Sequence, residues 1–295
     1  MNKNFNNNLQ LIKKILSENN LSLQFEKIQI LNLNKYILYY YRKKFIYKIA
    51  KSQKSVNLLL NENIGYNYFK NKKIFLIPKK EIVLKKKNLL VLKIDFINGI
   101  KGNFFQKKNF YNINKQIQKK KINLKAYTEK LYLRYQTKKN FIFFRKILKS
   151  KNNNETKNIY ISPSHGDFVH WNTIRNNNSY FTIDFEHFEK ERVLFYDYFN
   201  WYFAPIAQKI YSLKIYFFES LLLSLLKFFF YSRFCSLTNI QHKEDFNIYL
   251  KLYLVEKKLM LEEILYFKKK FIISKDYMLR TKNMLRLVNK FILKC

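Results

Sequence analysis

The spacing of apolar positions changes along the chain. Residues 4–18 place Phe5, Leu9, Ile12, Ile15 and Leu16 at helical spacing, which predicts an opening helix with one apolar stripe. From about residue 23 the pattern shortens. The segments "LQFEKIQIL" (23–31), "KYILYYYRK" (35–43) and "KFIYKIAK" (44–51) are aromatic and β-branched runs bounded by Asn and Lys, and they predict successive antiparallel strands. "SVNLLLNENIGYNYFK" (55–70) predicts a helix, and "KIFLIPKK" (73–80) and "NLLVLKIDFINGIKG" (88–102) predict further strands.

Beyond about residue 100 the pattern is mainly helical. "INLKAYTEKLYLRYQTKKNFIFFRKIL" (122–148) predicts one long helix, and the last fifty residues predict at least two more, the final one with Met284, Val288, Phe291 and Ile292 on one face. The apolar stretch "FFESLLLSLLKFFFYSRFC" from Phe217 is interrupted by Glu219 and Lys227 and is too short to cross a bilayer, so it predicts a buried helix. One exception breaks the helical half. "NTIR" (172–175) and "SYFTIDFE" (179–186) flank an asparagine cluster as a hairpin. The expectation is an α+β chain with a small antiparallel β-rich part at 1–98 and a larger, mainly helical part at 99–295.

Composition narrows the class. The chain of 295 residues is 48% hydrophobic and 18% aromatic, enough for a large core. Its formal charge of +37 would attract polyanions. The lysines are dispersed, however, Arg is scarce, and the excess of Lys, Asn, Ile, Tyr and Phe is the usage of an AT-rich coding sequence. No nucleic acid is required by this pattern. Cys235 and Cys295 lie far apart without partner histidines, giving neither a disulfide framework nor a zinc site. The N-terminal segment lacks the apolar core of a secretory leader. A cytoplasmic location without a transmembrane segment is expected.

The candidate chemistry is concentrated in "SHGDFVHWNTIRNNNSYFTIDFEHF" (164–188). Only four glycines occur in the chain, and Gly166 sits between His165 and Asp167. Asp167 and Asn172 are five residues apart on one loop, so a carboxylate and an amide oxygen can face one small space. The hairpin then returns Asp184 to the neighbourhood of Asn172. Phosphoryl transfer requires this set: a carboxylate near the attacking hydroxyl, and hard oxygen ligands for a magnesium ion on a nucleotide.

The segment resembles the catalytic loop and metal motif of the aminoglycoside phosphotransferase and choline kinase-like family, most of all members associated with bacterial surface-polysaccharide genes. The family has a two-lobed protein-kinase-like fold. The resemblance rests on His165, Gly166, Asp167, Asn172 and Asp184-Phe185-Glu186. It implies ATP and Mg²⁺ as cofactors, a small hydroxyl-bearing acceptor, Asp167 as the catalytic carboxylate, and Asn172 and Asp184 as magnesium ligands. His165 and Gly166 would shape the loop, Glu186 would support the metal site, and Asp197, in "VLFYDYFNW", would brace the loop. Such a fold also needs a strand lysine on the phosphates and a helix glutamate fixing it. Lys48, with Lys51 as rival, and Glu62 stand at suitable places, and the strand end Lys93, Asp95 and Phe96 would meet the adenine edge. The segment "NLNK" (32–35), expected over the phosphates, contains no glycine. That departure keeps a scaffold or nucleotide-sensing module as an alternative, with a basic RNA or membrane-surface binder behind it.

Overall fold

The computed structural model describes residues 25–31, 35–40, 45–72, 75–102, 119–135, 157–212, 219–237, 243–268 and 275–294, with a few isolated positions before residue 21. Most of the predicted helix at 4–18 and of "NLNK" lies outside the described residues; Gln10, Lys14, Ser17 and Glu18 are helical.

Three N-terminal strands, β1 (Phe25–Leu31), β2 (Lys35–Tyr40) and β3 (Phe45–Ala50), are joined by β4 (Lys80–Lys86) and β5 (Leu89–Asp95) in an antiparallel sheet of order β1-β2-β3-β5-β4. Helix α1 (Gln53–Asn71) packs on its inner face. The helix starts at Ser52, whose side chain accepts from the Ser55 amide while the Ser55 hydroxyl accepts from the Ser52 amide, a reciprocal capping box. Val56, Leu59, Tyr66 and Phe69 form its buried stripe against Ala50, Leu90, Leu92 and Ile94. Glu62 lies within that stripe, so a carboxylate occupies an apolar face and must find a partner there.

The segment "KIFLIPKK" does not form the predicted strand. Leu76 makes one parallel bridge to Phe181, and the ladder begins only at Lys80. Pro78 has no amide hydrogen to offer a ladder, which explains the delay.

The second half holds two small sheets where one hairpin was expected. β9 (Thr173–Asn176) and β10 (Ser179–Thr182) form that hairpin, with Asn177 at φ 52° in the turn. A short strand from the interlobe linker, β6 (Ile100–Lys101), pairs with β9. The other sheet joins β7 (Lys120–Asn123), β8 (Asn158–Ser164) and β11 (Glu189–Val193) in the order β11-β8-β7. Its strands carry Pro163 and the charged run Glu189 to Arg192, so alternation does not reveal them.

Helices α2 (Leu124–Tyr135), α3 (Tyr196–Ser212), α4 (Glu219–Leu237), α5 (Lys243–Lys268) and α6 (Lys275–Lys294) enclose the larger core. The predicted helix at 122–148 is thus described only as α2, its remainder lying outside the described residues. Val288 and Phe291 of α6 are fully buried, as the stripe predicts. Helix α4 differs from the expectation of a buried helix. Leu223, Leu226 and Phe230 are buried, while Leu221, Leu225 and Phe228 face outward. A helix apolar all round gives no stripe from which to read this division. No helix among the described residues is long and apolar enough to cross a membrane.

Candidate active site

The site forms where β3, α1, the end of β8, the β9–β10 hairpin and α3 meet. Alternation on β3 turns Lys48 to the same face as Ala50, toward α1. Its ammonium lies 2.6 Å from Glu62 Oε1, 2.9 Å from Asp184 Oδ1 and 3.7 Å from Glu186 Oε1. Lys48, and not Lys51, therefore makes the pair with Glu62. Burial alone disfavours the Lys48 ammonium, but the carboxylates of Asp184, Glu62 and Glu186 outweigh it and hold its pKa well above the ordinary lysine value.

Asp184 reaches this place through its neighbours. It sits at φ 67°, an uncommon conformation for a residue with a side chain. Phe185 and Phe188, directly after it, enter the N-terminal core. Phe185 lies 4.8 Å from Tyr66 and 5.4 Å from Phe69, measured between ring centroids. Gly65 of α1 permits the approach, because a Cβ there would come within 2.8 Å of Phe188 Cβ. The aromatic residues of "DFEHF" thus anchor the carboxylates between them. Glu62, Asp184 and Glu186 each offer an oxygen within 4.8 Å of the others, a hard-oxygen set suited to a divalent cation.

The catalytic-loop candidate is held by Asp197 at the start of α3. Its carboxylate accepts from Ser164 Oγ (2.9 Å), the His165 amide (2.8 Å) and the Gly166 amide (2.9 Å). Gly166 is at φ 84°, and a Cβ there would meet Arg192 Nη1 and the His187 carbonyl, so the position admits no side chain. His165 is fully buried. Its Nδ1 accepts from the Asp167 amide (3.3 Å), so Nε2 carries the proton and donates to the Ile183 carbonyl (2.9 Å). One imidazole thereby ties the loop to the strand leading to Asp184.

Asn172 closes the loop. Its Nδ2 donates to the Asp167 carbonyl (2.8 Å) and to Asp167 Oδ2 (3.2 Å), and its carbonyl accepts from the Ile183 amide (3.0 Å). No hydrogen bond to the Asn172 side-chain oxygen occurs among the described residues, so a hard donor remains open on this loop. Asp167 is 30% exposed, the accessible carboxylate of this loop. Its Oδ1 accepts from Asn200 Nδ2 at 3.3 Å and lies 3.9 Å from Lys257 Nζ.

At the other edge, Lys93 lies inside the ladder, paired with Tyr47 and Glu81. Its ammonium rests over the Phe45 ring and 3.8 Å from Glu81. The Asp95 amide donates to the Lys79 carbonyl, and Phe96 is the first residue beyond β5. His170 and His187, given no role from sequence, are packing residues whose pKa values burial lowers.

Two residues escaped the sequence reading. Asn200 follows Asp197 by three positions, which puts both on one face of α3 and was a usable signal. Lys257 is one lysine among many on a C-terminal helix, with nothing in its spacing to mark it.

The architecture is a two-lobed α+β kinase-like fold, the fold that the motif resemblance implied. Comparison with solved structures shows which kinases share it. The choline kinase LicA from Streptococcus pneumoniae superposes with TM-score 0.57 at 16% identity, covering 97% of this chain and 99% of that one. The GDP complex of aminoglycoside 2'-phosphotransferase-IIIa gives 0.54 at 11% identity, covering 97% and 98%. The amicoumacin kinase hAmiN, solved with AMP-PNP, Ca²⁺ and Ami, gives 0.51 at 11%, covering 95% and 93%. No family model matches the chain, and no curated protein matches it either.

Proposed function

We propose that this chain is an ATP- and Mg²⁺-dependent phosphotransferase that moves the γ-phosphoryl group to a hydroxyl of a small molecule, with Asp167 as the catalytic carboxylate. The observation that carries the reading is convergence. Lys48 comes from β3, Glu62 from α1, Asp167 and Asn172 from the loop after β8, and Asp184 from the end of the hairpin, and each lies within hydrogen-bond distance of another member of the set. The kinase-like fold and the nucleotide complexes among its structural neighbours support it.

Each residue takes a role suited to its surroundings. Asp167 accepts a hydrogen bond from the acceptor hydroxyl and takes its proton as the bond to phosphorus forms. Lys48, kept charged by Asp184 and Glu62, meets the phosphate oxygens. Asp184 and the open amide oxygen of Asn172 would hold magnesium, with Glu186 supporting that set. The ion would neutralise charge developing on the phosphate oxygens. His165, Gly166 and Asp197 keep the loop in shape. The end of β5, at Lys93, Asp95 and Phe96, would lie along the nucleobase, and the division between lobes would fall near residue 98. The acceptor class is a sugar, an amino alcohol or a surface-glycan precursor.

The test is nucleotide turnover by the purified chain with Mg·ATP or Mg·GTP, with water or small polyols as acceptor. Asp167→Ala is expected to fold, to bind nucleotide and to lose turnover by a factor of about 10² to 10⁴. Full turnover in that variant would remove Asp167 from the mechanism. A wild type that binds Mg·ATP yet never turns it over would make the chain a scaffold instead.

A further inference from the structure

Lys257, in the middle of α5, directs its ammonium at the carboxylate oxygen of Asp167 that Asn172 does not hold. The residue is only 2% exposed. Asp167 Oδ1, at 3.9 Å, is its partner, and no hydrogen bond to it occurs among the described residues. Burial lowers its pKa below the ordinary lysine value. Asp167 opposes that effect, Arg192 adds to it, and Asp197 and Glu256 oppose it again.

Such a group is costly to keep. A buried ammonium with three donors and one distant carboxylate is worse for stability than an apolar side chain of similar volume. The residue before it shows the alternative. Glu256 is fully buried but accepts from Tyr127, Arg134 and Arg192 at 2.6 to 2.9 Å. A charge retained without that compensation, and aimed at the reacting carboxylate, is what functional use at the expense of stability leaves behind.

Asp167 needs a restoring force. Its contacts from Asn172 and Asn200, at 3.2 and 3.3 Å, are longer than charge-assisted hydrogen bonds usually are. Tyr253, one turn before Lys257, reaches the Asn200 side-chain oxygen at 3.5 Å, so α5 backs both groups on that side.

We propose that Lys257 is a positioning residue of the phosphotransfer reaction. Its ammonium, with Asn200, draws Asp167 Oδ1 toward α5 while Asn172 holds Oδ2, so that the carboxylate meets the acceptor hydroxyl in one orientation. This inference rests on the phosphotransferase reading of the site.

The experiment compares wild type, Lys257→Met and Lys257→Arg as full chains, measuring phosphate release from Mg·ATP or Mg·GTP with water as acceptor. Lys257→Met is expected to lower kcat by about tenfold to a hundredfold. The nucleotide KM should stay within about twofold, because ground-state nucleotide binding is untouched. The thermal midpoint should be unchanged or higher, because a buried charge has been removed. Lys257→Arg should recover part of the rate. In an Asp167→Asn background Lys257→Met should cause no further loss, the signature of two groups acting as one unit. Undiminished kcat in Lys257→Met overturns the proposal. So does a lower kcat with a matching fall in the thermal midpoint and no recovery by Lys257→Arg, which would mark a structural role. A wild type that releases no phosphate from either nucleotide sinks the phosphotransferase reading itself, and this inference with it. An active wild type with an equally active Lys257→Met sinks this inference alone.

Discussion

Two ionic clusters lie on either side of the catalytic-loop candidate, and they are built in opposite ways. Around Lys48, three carboxylates share one ammonium, and the outermost, Asp184, is 41% exposed. Around Glu256, one fully buried carboxylate serves Arg134 and Arg192 and receives the hydroxyl of Tyr127, and Glu189, 3.3 Å from Arg134, supplies a second carboxylate for the two arginines. Arg192, also buried, lies over the Tyr196 ring and donates to the His187 carbonyl beside Gly166. The first cluster gathers three carboxylates about one ammonium at an open edge, an oxygen set that could hold a cation. The second is internally saturated and ties α2, β11 and α5 into a platform beneath the loop. Unbalanced charge at a rim marks a place for a ligand, whereas balanced charge in an interior marks a joint.

That contrast can be broken at either cluster. Of these two clusters, the larger expected effect on chemistry comes from Asp184→Asn, which removes a proposed cation ligand and also relieves carboxylate crowding. Turnover should fall by about a thousandfold. Folding stability should hold, and magnesium should no longer change nucleotide affinity in calorimetric titration. Glu256→Gln should do the reverse. Leaving buried Arg192 without its carboxylate, and Arg134 with Glu189 alone, should cost about 3 to 5 kcal/mol of unfolding free energy in denaturant titration. Activity should decline only as the folded fraction declines.

The smallest effect sharpens the comparison at its margin. Lys80 stacks on Tyr66, bonds Asn63 and is half-buried; burial lowers its pKa to about 8 despite the pull of Glu62. Between about pH 8 and the ordinary lysine value, the unfolded chain holds a proton that the folded one has released, so its contribution to stability rises with pH across that window. Denaturation at pH 7.5 and 9.5 should show wild type gaining slightly on Lys80→Met at the higher pH. Solvent at this half-open site keeps the gain small.

The site was more legible than the scaffold around it. Asp167, Asn172 and Asp184 stood out because rare Gly and Asp residues stand at fixed spacing about a hairpin; Asn172 bonds Asp167, and its backbone carbonyl accepts from the Ile183 amide next to Asp184. Glu62 was findable as an acid on an apolar helical face with a strand lysine upstream. The β7, β8 and β11 sheet was not, since charged side chains on β11 cancel its alternation while serving as ion-pair partners: Glu191 with Lys120 and Lys130, Arg192 with Glu256. Lys257 stayed hidden for another reason. Its proposed role depends on which three-dimensional neighbour it faces, and in a chain with 57 basic residues no local pattern sets one lysine apart.

The hairpin that carries Asn172 and Asp184 is stitched on both flanks to chain that precedes residue 103. On one flank β6 pairs with β9, and the Gly102 amide donates to the Thr173 carbonyl at 2.8 Å. On the other, a lone bridge joins Leu76 to Phe181, backed by the Thr182 amide on the Leu76 carbonyl at 2.9 Å. These two seams are unequal in strength. The β6 seam pairs two residues with β9 whereas the Leu76 seam is one bridge, so a load pulling the hairpin away from that earlier chain would part the Leu76 seam first.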